Sequence, residues 1–230
     1  MRRLLVLVVV AVVAGAAPAR AAAPPHSNAD YWAFADRVMG QLDAWWDAGR
    51  GAYILKGRPS VRVNSALLLA HAVAAQAGHG GPTRRDARAR VLVHRLTSSP
   101  AWLGARGAPG LTTCWSRDLD RVKRQHASLE PKVAEALAWA WRARGPLGLS
   151  ATAVRRIART VTACARSRAW QGVRVSNQIN WNAELYAAAA VVSGRWGLLR
   201  HAYRRQLAGF AAHIARPAPG MATGNLGSGY

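Results

Sequence analysis

Gly145-Pro146-Leu147-Gly148-Leu149-Ser150-Ala151-Thr152-Ala153-Val154-Arg155-Arg156-Ile157 reads as the bend of a helical hairpin. Gly145-Pro146-Leu147-Gly148 is a turn, because glycine and proline punctuate helices. Ser150 is a helix cap, its hydroxyl placed to accept from an open N–H of the first turn. Beyond it Val154, Ile157, Val161 and Cys164 recur at three- and four-residue spacing and share one face. Before the turn, Ser128 to Ala143 reads as a helix, with Pro131 tolerated in its first turn.

The same signals extend in both directions. Tyr31, Ala35, Val38, Leu42 and Trp45 predict an amphipathic helix ending at Gly49. Residues 50–58, with Tyr53-Ile54-Leu55 between glycines, read as a connector with a short extended piece. Pro59-Ser60 opens an apolar helix to about Gln76, stopped by Gly78-His79-Gly80-Gly81-Pro82. Thr83 followed by Asp86 reads as the cap of a helix through about Leu96. Residues 97–127 are irregular. An Asn-rich helix over 177–193 stops at Gly194, and a last one runs from Arg195 to Arg216. The expectation is an all-α domain over residues 28–216, built of stacked helical hairpins as an incomplete α/α toroid. No tetratricopeptide or ankyrin-type repeat is visible. The aromatic loops 97–127 and 170–176 both precede helices, which places them at one end of the stack.

The first residues read as a secretory signal. Arg2 and Arg3 precede an apolar run from Leu4 to Ala17, and Ala19 and Ala21 form a small-x-small cleavage pattern, with the cut after Ala21. The run is shorter than the roughly 20 residues that span a bilayer, so no permanent membrane span is expected. Residues 22–27 are then a short linker. Residues 217–230, rich in Gly, Pro, Asn and Ser, read as a loop leading into a further C-terminal part. The expected location is secreted or cell-envelope. In that oxidising setting Cys114 and Cys164, the only cysteines, are expected to pair.

Charge narrows the partners. The chain holds 32 Lys+Arg against 10 Asp+Glu, a formal net charge of +22. Loss of Arg2, Arg3 and Arg20 with the signal leaves +19. Such a surface attracts an acidic polysaccharide or another anionic polymer. No nucleic-acid motif is present, and an exported chain argues against that partner. The arginines are scattered over several helices, so many are solvated faces.

Ser176-Asn177-Gln178-Ile179-Asn180-Trp181-Asn182-Ala183-Glu184-Leu185-Tyr186 carries the strongest site signal. On a helix Asn177, Asn180 and Glu184 fall at i, i+3 and i+7 and share a face. Asparagine is a poor helix former, and amides beside a carboxylate suit a ligand; they suit a helix cap equally well. A second cluster, Trp115 to His126, combines His126 with Arg117, Arg121, Lys123, Arg124, Asp118 and Asp120. His126 precedes a helix start, where the positive dipole end keeps an imidazole neutral. Trp139, Trp141 and Trp196 fit helix cores. Trp46, Trp102, Trp115, Trp170 and Trp181 sit near element ends, where they either stack on sugar rings or anchor loops. Asn64 is a further polar residue at a helix mouth, whereas His71 and His201 lie on less promising faces. No metal-ligand spacing, phosphate-cradling glycine loop or Gly-x-Ser-x-Gly elbow is present, so no metal or cofactor is expected.

With Asn180-Trp181-Asn182-Ala183-Glu184 in an aromatic-rich helical chain, the protein resembles the toroidal polysaccharide lyases, such as the hyaluronate/chondroitin and heparinase-like groups. The resemblance implies β-elimination on a uronate-containing polymer. Asn180 would neutralise the substrate carboxylate, and His126, Tyr53 or Tyr186 would take the C5 proton. Asn177, Trp181, Trp115, Arg117, Arg121, Trp46 and Asn64 would line the substrate path. Two alternatives remain open. One is glycoside hydrolysis with Glu184 and Asp118 or Asp120 as the acid/base pair. The other is a non-enzymatic envelope protein that binds an anionic wall polymer.

Overall fold

The computed structural model describes residues 27–99, 102–103, 114–115, 129–166 and 176–215. The expected signal and linker, through residue 26, and the stretch 217–230 lie outside the described residues. The chain divides after Phe34 into two compact units. The first contributes Ser27–Phe34 to the described residues. There Asp30 N–H donates to Ser27 Oγ while the Asp30 carboxylate accepts from Ser27 N–H, a reciprocal cap that starts the first helix.

Seven α-helices make up most of the described chain: α1 (Asn28–Leu42), α2 (Val61–Gln76), α3 (Asp86–Ser98), α4 (Leu129–Arg142), α5 (Ala151–Ala165), α6 (Ser176–Ser193) and α7 (Trp196–Ala215). An all-α class with little strand is therefore correct. The helix expected to reach Gly49 ends sooner. It passes through a 3-10 turn, Asp43–Trp45, into a three-stranded antiparallel meander of β1 (Trp46–Asp47), β2 (Ala52–Leu55) and β3 (Arg58–Pro59). Lys56 and Gly57 both take positive φ between β2 and β3, as a tight two-residue hairpin demands.

Ser60 caps α2 and Ser150 caps α5, each accepting from the N–H three residues on. Thr83 does not cap α3, whose N-cap position is Arg85 with no side-chain bond. Thr83 is instead buried, and both its N–H and its hydroxyl donate to Asp36.

The core follows from which helices are apolar on more than one side. α2 packs on α3 and α4, α4 on α6, and α6 on both α5 and α7. Leu68, Leu92, Leu96, Leu137, Leu147, Ile157 and Leu185 are fully buried between them. Each such side chain contributes roughly 1.5–3 kcal/mol by leaving water. The alanines of α6 from Ala187 onward let its neighbours approach closely, and Ala189 and Ala190 are fully buried.

Cys114 and Cys164 form a disulfide that ties the chain just before Trp115 to the last turn of α5. Buried Glu130 lies in the first turn of α4, its carboxylate accepting from its own N–H and from that of Cys114. Burial nevertheless dominates and pushes its pKa up to about 7. Among the described residues no helix is long and apolar enough to cross a membrane.

Candidate functional site

α6 begins at Ser176, so the backbone does place Asn177, Asn180 and Glu184 on one helical face. Of these three side chains the structure describes that of Glu184. Its carboxylate takes a bond of 3.1 Å from Lys132 of α4, whose ammonium also reaches Glu135 at 3.3 Å. Burial works against the charged Lys132, but the bond to Glu184 and the charges of both carboxylates outweigh it and raise its pKa. The ion pair with Lys132 thus ties Glu184 of α6 to α4.

Beside Glu184 lies an open cleft of about 920 Å³ between α6 and α7. Ala183, Glu184 and Ala187 form one wall; Trp196, Leu199, Arg200, Tyr203 and Gln206 are among those forming the other. Gly194, at φ +67°, allows the abrupt reversal between the two helices. Trp196, Leu199, Tyr203 and Leu207 recur at three- and four-residue spacing, as a helix burying a face would show. Yet Trp196 is 60% and Tyr203 61% exposed. The expectation that Trp196 fills a helix core is thus wrong: the spacing marks a face, and that face is open. Tyr203, Arg200 and Gln206 escaped the sequence reading for the same reason, although their spacing was visible.

Several candidate side chains have other tasks. Trp115 is fully buried, and its indole N–H donates to the Leu96 carbonyl at 2.8 Å, so it anchors a loop and offers no face to a sugar. Tyr186 is buried with its ring edge-on to His201, which removes it as an accessible base. Trp181 is partly buried on α6. Arg117, Arg121, His126, Asp118 and Asp120 lie outside the described residues.

Asn64, Tyr53 and Trp46 meet in a second polar cluster, around the meander. The Asn64 amide accepts from Tyr53 N–H at 2.7 Å and donates to the carbonyls of Tyr53 and Ser60, each at 2.9 Å. It is a clamp on β2, not a substrate contact. The Tyr53 hydroxyl donates to His71 Nε2 at 2.8 Å, and His71 Nδ1 donates to the Thr83 carbonyl at 2.7 Å. Burial pushes the His71 pKa down to about 4 and raises that of Tyr53. Arg88 donates to the same hydroxyl, pairs with Asp43 and lies over the rings of Trp46 and Tyr53. Tyr53 and His71 are both fully buried, so Tyr53 is no more a candidate base than Tyr186.

Among the described residues no three His, Cys, Asp or Glu side chains converge as metal ligands would. Comparison with protein-family models, with curated proteins and with solved structures finds no match, so the reading of the cleft rests on its own chemistry.

Proposed function

We propose that the protein is exported, that it arranges its helical hairpins as an incomplete α/α toroid, and that it acts on an acidic polysaccharide seated between α6 and α7. The observation that supports this is the cleft itself. Two exposed aromatic rings, Trp196 and Tyr203, stand beside Arg200 and Gln206, opposite Glu184. Aromatic faces pack on the C–H groups of sugar rings, and a guanidinium matches a uronate carboxylate with two parallel bonds.

The reaction assigned is β-elimination. Asn180 precedes Glu184 by one turn on the same face. It neutralises the uronate carboxylate, making the C5 proton more acidic. A base removes that proton, the electron pair forms the C4–C5 double bond, and the C4–O bond breaks with its oxygen taking a proton. Tyr203, which lines the cleft, joins His126 as candidate base. The test is incubation of the full-length protein with a panel of uronate polymers. Ultraviolet absorbance of unsaturated uronate should rise and be lost in Asn180→Ala. Flat absorbance across the panel ends this assignment.

One observation favours a second reading, binding without turnover. Glu184 is committed to Lys132, while the chain carries a large excess of positive charge. Salt-sensitive polymer binding, indifferent to Asn180→Ala and without absorbance change, would establish it.

A further inference from the structure

We infer a second site, which binds a tetrahedral oxyanion, a sulfate or phosphate group, in a cleft of about 230 Å³ between α3 and the start of α5. Arg90 and His94 of α3 and Arg156 and Thr152 of α5 line it. No carboxylate lines it, and three of its side-chain acceptors already take a bond. Ser150 Oγ accepts from Ala153 N–H, Thr152 Oγ1 from Arg155, and His94 Nδ1 from Arg156 at 3.2 Å. With Nδ1 facing the Arg156 guanidinium, Nε2 is the ring nitrogen of His94 left to donate.

The remaining capacity is of the opposite kind. A guanidinium has five N–H groups. Arg90 directs one to the Leu147 carbonyl, and Arg156 bonds Ser98 Oγ and His94. Among the described residues no carboxylate pairs with either arginine. Just before α3 and in its first turn, Arg84, Arg85 and Arg88 are all matched, by Asp86 and Asp43. The first turn of α5 adds its positive dipole end beside the two guanidiniums.

A cleft that offers two guanidiniums and no carboxylate selects an anion. Its donors come from both helices, Arg90 and His94 on one and Arg156 on the other, so a group whose oxygens point in several directions can be reached from both sides at once. Since different helices line it, this site stands whether or not a polysaccharide occupies the α6–α7 cleft.

Isothermal titration of the full-length protein with inorganic sulfate and phosphate, and with acetate as the planar control, tests the assignment. Saturable binding of the tetrahedral ions, weakened about tenfold or more in Arg90→Gln/Arg156→Gln and unchanged in Tyr203→Ala, is expected. Equal affinity in the double variant, or acetate binding as tightly as sulfate, overturns it. Should the double variant not fold, Arg156→Lys keeps the charge but loses the planar fork and should bind several-fold more weakly; wild-type affinity there also overturns it. Competition by a sulfated oligosaccharide, against its unsulfated counterpart, identifies a polymer ester as the source. Competition by the inorganic ions alone identifies a free ion.

Discussion

The protein holds two aromatic-and-polar clusters that look alike as lists of residues and differ in every physical respect. Around the meander, Trp46, Tyr53, Asn64, His71 and Arg88 form a closed network. Asn64 bonds three backbone groups, and the Tyr53 hydroxyl both donates and accepts. Between α6 and α7, Trp196, Tyr203 and Arg200 line an open cleft on a helix face that nothing among the described residues covers. Residue types that carry chemistry do not by themselves make a site. The closed cluster has its hydrogen bonds satisfied internally and fixes β2 on α2. The open one has surface and donors to offer a ligand.

The contrast has measurable consequences. Asn64→Ala leaves the buried N–H and carbonyl of Tyr53 without their amide partner and also removes a bond to the Ser60 carbonyl, and should destabilise the fold on the order of 3 kcal/mol, read as a lower midpoint in denaturant. A shift below about 1 kcal/mol would mean that the cluster is not closed. Acid probes the same cluster through His71, whose folded pKa of about 4 lies below its ordinary 6.5. The folded protein needs the neutral ring, so stability from this residue is present above pH 6.5 and is lost as pH falls toward 4, on the order of 3 kcal/mol in all. Glu130 acts in the opposite sense. Its pKa is raised from 4.5 to about 7, so stability is lost as pH rises through that window. The two nearly cancel in the wild-type protein. A Glu130→Gln variant should therefore show a clear acid-side loss between pH 6.5 and 4 that the wild type hides.

For the open cluster the expected pattern reverses. Trp196→Ala or Tyr203→Ala should weaken saccharide binding about tenfold, or about 1.4 kcal/mol, while leaving stability within about 0.5 kcal/mol. Smallest of all is Lys132→Met. Its bonds to Glu135 and Glu184 are largely exposed, so stability should change by less than about 1 kcal/mol.

Much of the fold was legible because helices announce themselves twice. Three- and four-residue spacing marks the face, and punctuation marks the ends: Ser150 as a cap, Gly194 as a stop, Gly145 to Gly148 as a turn. The meander was harder to see, since strands of two residues carry no period. Thr83 misled because a Thr-x-x-Asp spacing resembles a capping box, whereas its hydroxyl is bound by the distant Asp36. The site was legible only in part. Spacing placed Asn177, Asn180 and Glu184 on one face of α6, but it could not show that Lys132 of α4 meets Glu184. Nor can spacing tell a covered helix face from an open one, so Trp196 reads as a core residue in the sequence and stands open in the structure. The oxyanion cleft had no local signature, because Arg90 and Arg156 come together only when α3 packs on α5.

Equilibrium binding of a uronate oligosaccharide to the full-length protein and to Trp196→Ala/Tyr203→Ala, each checked by thermal melting, bears most directly on where the polymer sits. Saturable binding by the wild type, lost in the double variant with an unchanged melting midpoint, is the expected result. Equal binding by both proteins would show that the α6–α7 cleft is not where an acidic polysaccharide is held.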